Sequence, residues 1–235
     1  MSDNIIILWD LDGTLYPETR TIKDVFKQAV TRTLRDIVDP ALSDEQASAL
    51  IEDSRKTYGD SFSGLIKQGF SQSALHQAHH TRLDHTVITR DEKTVQAFAQ
   101  SRQNGVRHAI LTHGHLDWTL RVLEQTGLRP FFAPEDIITT EQIDFLKKHT
   151  GPEAFERALD ILGAKADQVV MVEDKAVNLL APHKMGMKTV QVDHSRSKDT
   201  GEKPDHVWRH CASPAEAISA ALSLTPSKAP GPTPG

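Results

Sequence analysis

Five successive apolar residues, Ile5-Ile6-Ile7-Leu8-Trp9, give way abruptly to the polar stretch Asp10-Leu11-Asp12-Gly13-Thr14. A short unbroken apolar run rich in β-branched residues predicts a strand covered on both faces, as in a parallel sheet. From Thr21 the period changes. Val25, Phe26, Ala29, Val30, Leu34 and Ile37 recur at helical spacing, and the pattern stops before Pro40. Ser43 followed by Gln46 predicts a capping box opening a second helix with Ala47, Leu50 and Ile51 on its face. Gly59, Gly64 and Gly69 punctuate the next stretch, and Ser71 to Leu83 is again helix-like.

Beyond Asp91 strand and helix patterns alternate. Helix is predicted from about Asp91 to Gln103, closed by Asn104-Gly105, then strand over Arg107–Thr112 and helix over His115–Thr126 before Gly127. Helix over Pro152–Leu162 stops at Gly163. The apolar strand Val169–Val172 ends in Glu173-Asp174, followed by helix over Ala176–Lys184, strand over Lys188–Val192 and helix over Pro214–Leu222. This alternation predicts a doubly wound α/β fold with a parallel sheet. The expected division is a core of residues 1–17 and 88–224, an all-helical insertion at 18–87 and a disordered Pro/Gly/Ser-rich tail at 225–235.

Composition narrows the function classes. At 38% hydrophobic and 25% charged residues, 235 residues suffice for a sizeable core. The net charge is −5 and the 27 basic residues are scattered, which argues against a nucleic-acid polymer as partner. No apolar run approaches the roughly 20 residues a membrane span needs. The N-terminus lacks the basic stretch of a signal peptide. The single cysteine, Cys211, excludes an intramolecular disulfide and fits a reducing compartment, so a cytoplasmic protein is expected, monomer or homodimer. The 12 histidines are dispersed, and the close pairs His79-His80 and His113/His115 read by default as solvated side chains.

In an open parallel sheet ligands bind at the carboxyl ends of the strands. Three such ends carry polar groups here: Asp10 and Asp12, Thr112, and Glu173-Asp174. Carboxylates crowded together take up protons unless a cation neutralises them, and hard oxygen ligands select Mg²⁺. A phosphate held beside a carboxylate suggests nucleophilic catalysis through an aspartyl-phosphate, with Asp10 as nucleophile and Asp12 moving protons. Thr112 and nearby amides would hold the phosphoryl oxygens, and a lysine is needed to offset the charge that builds up.

These residues resemble a known family. Asp-Leu-Asp-Gly-Thr-Leu at 10–15, Ile110-Leu111-Thr112, and Val172-Glu173-Asp174 with Asn178 are similar to motifs of the haloacid dehalogenase (HAD) superfamily of phosphohydrolases. The resemblance covers roughly residues 4–222 and implies a Rossmann-like core carrying an inserted helical C1 cap. It implies that Asp10 is nucleophile and metal ligand, and that Asp12 is general acid/base with its backbone carbonyl on the metal. Thr112 would bind phosphate, Asp174 the Mg²⁺ directly, Glu173 directly or through water, and Asn178 would orient that loop. The acid at 12 favours phosphatase over dehalogenase. His113 stands where the family usually has asparagine, and is a candidate for contact with the phosphate in its place. The family's lysine lies three residues before a proline, which falls on His149 here; Lys148 is the nearest lysine and Lys147 the next.

Leu15-Tyr16-Pro17, the stretch Tyr58 to Leu65 and the stretch Asn178 to Met187 resemble the pyrimidine 5′-nucleotidase branch. That implies a nucleoside monophosphate as substrate, with Tyr58, Ser61 and Phe62 meeting base or ribose, or else shaping a cap turn. Tyr16 is a site residue or a packing residue at the cap hinge. Two rivals stay open: a phosphosugar phosphatase or mutase of the β-phosphoglucomutase kind, and a catalytically idle binder of a nucleotide or protein.

Overall fold

In the computed structural model, which describes residues 5–195 and 203–224, a six-stranded sheet forms around the first apolar run. Its strands are β1 (Ile6–Trp9), β2 (Arg107–Leu111), β3 (Ile137–Ile138), β4 (Val169–Glu173), β5 (Lys188–Val192) and β6 (Arg209–Cys211). They lie in the order β3-β2-β1-β4-β5-β6, every pairing parallel. The chain winds one way from β1 through β2 to β3, then returns to the other side of β1 for β4. The crevice at that reversal is where doubly wound sheets bind ligands. Register places the three polar strand ends together. Trp9 pairs with Ile110 on one side and Val172 on the other. Asp10 is thereby level with Leu111 and Glu173.

Alternate residues of the buried strands feed two cores. Ile7, Trp9, Ile110, Val170 and Val172 pack with residues of α5 (Glu92–Gln103), α6 (Leu116–Thr126) and α9 (Pro214–Leu222). Ile6, Leu8, Ala109, Leu111 and Met171 pack with α7 (Glu153–Leu162), Leu179 and Met187. The two-faced burial explains why β1 and β4 read as continuous apolar runs.

Between β1 and α5 the chain is helical: α1 (Arg20–Ile37), α2 (Asp44–Tyr58), α3 (Ser63–Lys67) and α4 (Gln72–Thr81). The Ser43 capping box with Gln46 is formed, and Ser71 caps α4. Val30, Leu34, Ala47, Ile51, Phe62, Leu65 and Leu75 make a third core, separate from those of the sheet.

Three expectations are corrected. Strands β3 and β6 add to the four read from the pattern. β3 has two residues, and β6 is an edge strand whose exposed Arg209 and half-buried His210 dilute its apolar pattern. The helix expected over Ala176–Lys184 divides into a 3₁₀ turn at Ala176–Leu179 and α8 at Leu180–Lys184. Pro182 lacks the N–H that would reach the Asn178 carbonyl. His79 and His80 are buried rather than solvated, because α4 turns them toward the rings of Phe26, Phe62 and His76. The tail at 225–235 lies outside the described residues. No helix among those described is long and apolar enough to cross a membrane.

Candidate active site

Asp10 follows β1, and its amide donates to the Val172 carbonyl at 2.9 Å, continuing the ladder one residue past the strand. That bond fixes where the carboxylate emerges. Thr14 Oγ1 donates to Asp10 Oδ2 at 3.0 Å, and the Lys148 ammonium donates to Asp10 Oδ1. Lys148 Nζ also reaches Glu173 Oε2 at 2.7 Å and the Leu111 carbonyl at 3.3 Å, so its three protons all have acceptors. The lysine is only 1% exposed. Burial disfavours its charge, but Asp10 and Glu173 outweigh that and hold its pKa above the ordinary lysine value.

Asp10, Glu173 and Asp174 each present an oxygen within 4.8 Å of the others, an arrangement that offers a cation three hard ligands. Three carboxylates against one lysine leave surplus negative charge. Burial and the neighbouring Glu173 raise Asp10 above the usual carboxylate range. Burial and a proton-sharing contact with Glu173 raise Asp174 likewise. Glu173 itself is desolvated, yet Lys148 and hydrogen bonds from Asp174 and Asn178 keep it low. Asp174 Oδ1 is buried without a hydrogen-bond partner. An orphaned carboxylate oxygen inside a ring of acids is what a divalent-cation site would present, so the donor set fits the Mg²⁺ expected from sequence.

Gly13 makes the close approach of the two loops possible. Its φ of +89° is a left-handed conformation, and a Cβ there would stand 2.7 Å from Asp174 Oδ2.

Asp12 stands apart from the carboxylate cluster. Its Oδ1 accepts from Trp118 Nε1 at 2.8 Å and from the Tyr16 hydroxyl. Burial raises its pKa while these two donors oppose the rise. Tyr16 is thus a hydrogen-bonding partner of the site as well as a buried packing residue. Thr112 is buried at the end of β2, its amide bonded to the Ile138 carbonyl and its Oγ1 accepting from the Gly114 amide at 2.9 Å. The imidazole of His113 lies between the Leu146 carbonyl (3.3 Å) and the Lys148 amide (3.4 Å). Burial, with Lys148 nearby, depresses its pKa to about 3, so the ring is neutral.

The remaining sequence-selected residues lie elsewhere. Lys147 turns away from Asp10 and pairs with Asp60 of the helical block. Ser61 Oγ accepts from Arg55 Nε at 3.0 Å, and Tyr58 carries Lys67 Nζ 4.4 Å above its ring. Both therefore have partners within the block itself. Sequence reasoning overlooked Trp118, Lys175 and Asp60. A buried indole N–H needs an acceptor, and Trp118 is on the inner face of α6, which was the available signal. Lys175 follows Asp174 and sits among Asp174, Asp10 and Glu173, whose charges hold its ammonium up against the cost of burial. A cavity of about 470 Å³ opens beside Gly13 and Asp174, bounded by Glu18, Gln191 and His194.

A family model described as haloacid dehalogenase-like hydrolase matches residues 6–186. The chain is 26% identical over 207 residues to Pyrophosphatase PpaX of Halalkalibacterium halodurans, covering 86% of this chain and 91% of that one. It is 22% identical over 211 residues to the glyceraldehyde 3-phosphate phosphatase of Methanopyrus kandleri, covering 85% and 88%. Among solved structures, CbbY from Rhodobacter sphaeroides in complex with phosphate superposes with a TM-score of 0.64 at 20% identity, covering 94% of this chain and 100% of that one.

Proposed function

The chain belongs to the haloacid dehalogenase-like hydrolases and is a phosphatase, and from that premise we propose that it cleaves a phosphate monoester through an aspartyl-phosphate on Asp10. The observation that carries this reading is the Lys148 ammonium shared between Asp10 and Glu173 beside the unpartnered Asp174 oxygen. It leaves Asp10 poised at a crevice where Asp174 keeps an oxygen open to a cation.

Asp10 attacks phosphorus, the bond to the leaving oxygen breaks, and Asp12 gives that oxygen its proton. Water then attacks the phosphorus of the aspartyl-phosphate, Asp12 takes the proton, and the bond to Asp10 breaks to release phosphate. Tyr16 and Trp118 hold one oxygen of Asp12, which leaves the other to carry the proton. Thr112 and the Gly114 amide shape the phosphoryl pocket. Lys148 balances the charge on Asp10 and the phosphoryl group. Asp10, Asp174, Glu173 and the Asp12 backbone carbonyl would hold Mg²⁺, which would supply further charge neutralisation there. Asn178, hydrogen-bonded to Glu173, orients that loop. Residues 18–87 act as the cap over this crevice.

For the leaving group, the resemblance of Leu15-Tyr16-Pro17 and the Tyr58–Leu65 stretch supports a nucleoside monophosphate, with Tyr58 and Ser61 on the base side. Similarity to a protein named as a pyrophosphatase favours a pyrophosphate linkage, an anhydride in place of a monoester, as the second reading. Cysteine content supports a cytoplasmic enzyme. Phosphate release measured over nucleoside monophosphates, sugar phosphates, phosphoglycolate and pyrophosphate separates the two substrates. Asp10→Asn should fold and release no phosphate from any of them. Turnover comparable to wild type in that variant removes Asp10 from the nucleophile's role.

A further inference from the structure

Lys147 and Lys148 are chain neighbours whose ammonium groups part company. Lys148 points into the site, on Asp10 and Glu173; Lys147 points outward to Asp60, in the turn between α2 and α3. Asp60 is itself held firmly. Its Oδ1 accepts from the Phe62 and Ser63 amides at 2.9 and 2.8 Å, and its Oδ2 from the Ser63 hydroxyl. Burial pulls this carboxyl up, but Lys147 and these donors outweigh it and set the pKa at about 2, so it is ionised at any working pH.

The segment that carries the two lysines touches the helical block a second time. Phe145 sets its ring edge-on against His76 of α4, with centroids 5.5 Å apart. Asp144 and Phe145 take φ values of +53° and +58°, a left-handed conformation that non-glycine residues hold only when their surroundings impose it. The Phe145 amide donates to the Thr140 carbonyl at 2.8 Å, and the Leu146 amide to Ile143 at 3.0 Å, closing a tight turn just before the lysines. Leu146 then meets His113 through its carbonyl. A few consecutive residues thus contact the helical block on one side and the acid cluster on the other.

We propose that this turn couples the position of the helical block to the position of Lys148, with Asp60 and Lys147 as positioning residues. When the block is docked, the Asp60–Lys147 pair and the Phe145–His76 contact hold the turn in its strained form and Lys148 on Asp10. When the block swings away, both contacts go, the turn relaxes, and the ammonium loses its fixed place. The proposal rests on the role given above to Lys148.

The test uses the full chain in four forms: wild type, Asp60→Asn, Lys147→Met and the double variant. Asn keeps the acceptor for the Phe62 and Ser63 amides, and Met keeps the lysine stem. Amide hydrogen exchange across residues 143–150 should rise several-fold in Asp60→Asn, although that substitution is far away in sequence. With an aryl phosphate, kcat should fall about tenfold in either single variant while KM stays within about twofold. The double variant should lose no more than either single one, as expected of two halves of one contact. Unchanged exchange at 143–150 in Asp60→Asn overturns the proposal, as do losses that multiply in the double variant. A wild-type protein that hydrolyses no phosphate ester, but whose turn still loosens in Asp60→Asn, removes the phosphatase reading and leaves the coupling standing.

Discussion

Lys148 carries its charge at 1% exposure between two carboxylates. Such a group is tolerated only with full pairing. Taking one partner from a buried ion pair costs about 3–5 kcal/mol, because the charge left behind has neither water nor counter-ion. Gly13 is as narrowly determined, for a steric reason. Gly13→Ala adds a methyl 2.7 Å from Asp174 Oδ2 in a left-handed backbone, a conformation that alone costs roughly 1–2 kcal/mol. That variant should melt several degrees lower, and its half-saturating Mg²⁺ concentration should rise as Asp174 is displaced. Unchanged melting and unchanged Mg²⁺ titration would show that the two loops do not meet as described. At this scale a single acid at a strand end was ambiguous, since it also suits a turn or helix cap, and the sequence became informative where several such ends coincide, as with Asp10, Thr112 and Glu173-Asp174. Lys148 was harder to single out from Lys147, because adjacent residues of an irregular loop have no periodicity to say which faces inward. Trp118 and Asp60 act across 106 and 87 residues of chain, a separation that local pattern does not bridge.

Helices announced themselves through their ends. Ser43 with Gln46 caps the helix expected of the pair, Ser71 and Asp91 cap the helices read as beginning near them, and Gly127 and Gly163 close theirs in the left-handed conformation. What the ends do not convey is which polar side chains a helix buries. α4 buries His79 and His80, and desolvation lowers both to about 3 from the ordinary 6.5, with neighbouring histidine charge adding to it. His79 Nδ1 has no hydrogen-bond partner. The folded protein therefore refuses protons that the unfolded chain accepts below about pH 6.5. Stability is retained above that value and falls as pH drops toward 3, by about 1.4 kcal/mol per pH unit for each such histidine. Urea midpoints of wild type and His79→Leu, followed from pH 7.5 to 4.5, should diverge, with the variant losing less on acidification. Parallel curves would mean that His79 titrates as it does in water.

The molecule as a whole is governed by the reversal of strand order at β1. Register makes the ends of β1, β2 and β4 level, so acids separated by most of the chain meet in one crevice. This architecture was legible from the alternation of patterns, and the polar strand ends marked the candidate site where Asp10, Glu173 and Asp174 meet. That the block is helical was legible too, as a stretch with no strand pattern. Its docking was not, since Asp60 and His76 have no local sign of a distant partner. The crowding also sets a pH dependence. Burial and mutual repulsion raise Asp10 and Asp174, so the folded state keeps protons that the unfolded chain has shed. That stabilisation is full below the unfolded carboxylate values and is lost as pH rises through the raised ones. A divalent cation bound only by the folded state should compensate, by about 2.7 kcal/mol at a hundred times its Kd. Added Mg²⁺ should raise Tm by several degrees at pH 8 and by much less at pH 5.5, where protons compete. An equal shift at both values, or none, would place the cation elsewhere.

The aspartyl-phosphate itself is the most direct object to seek. With Asp12→Asn slowing the second step, protein quenched in acid during turnover and digested should show one phosphoryl group by mass spectrometry, on the peptide containing Asp10. Phosphate released at the wild-type rate with no labelled protein, or a label on any other residue, would contradict the account.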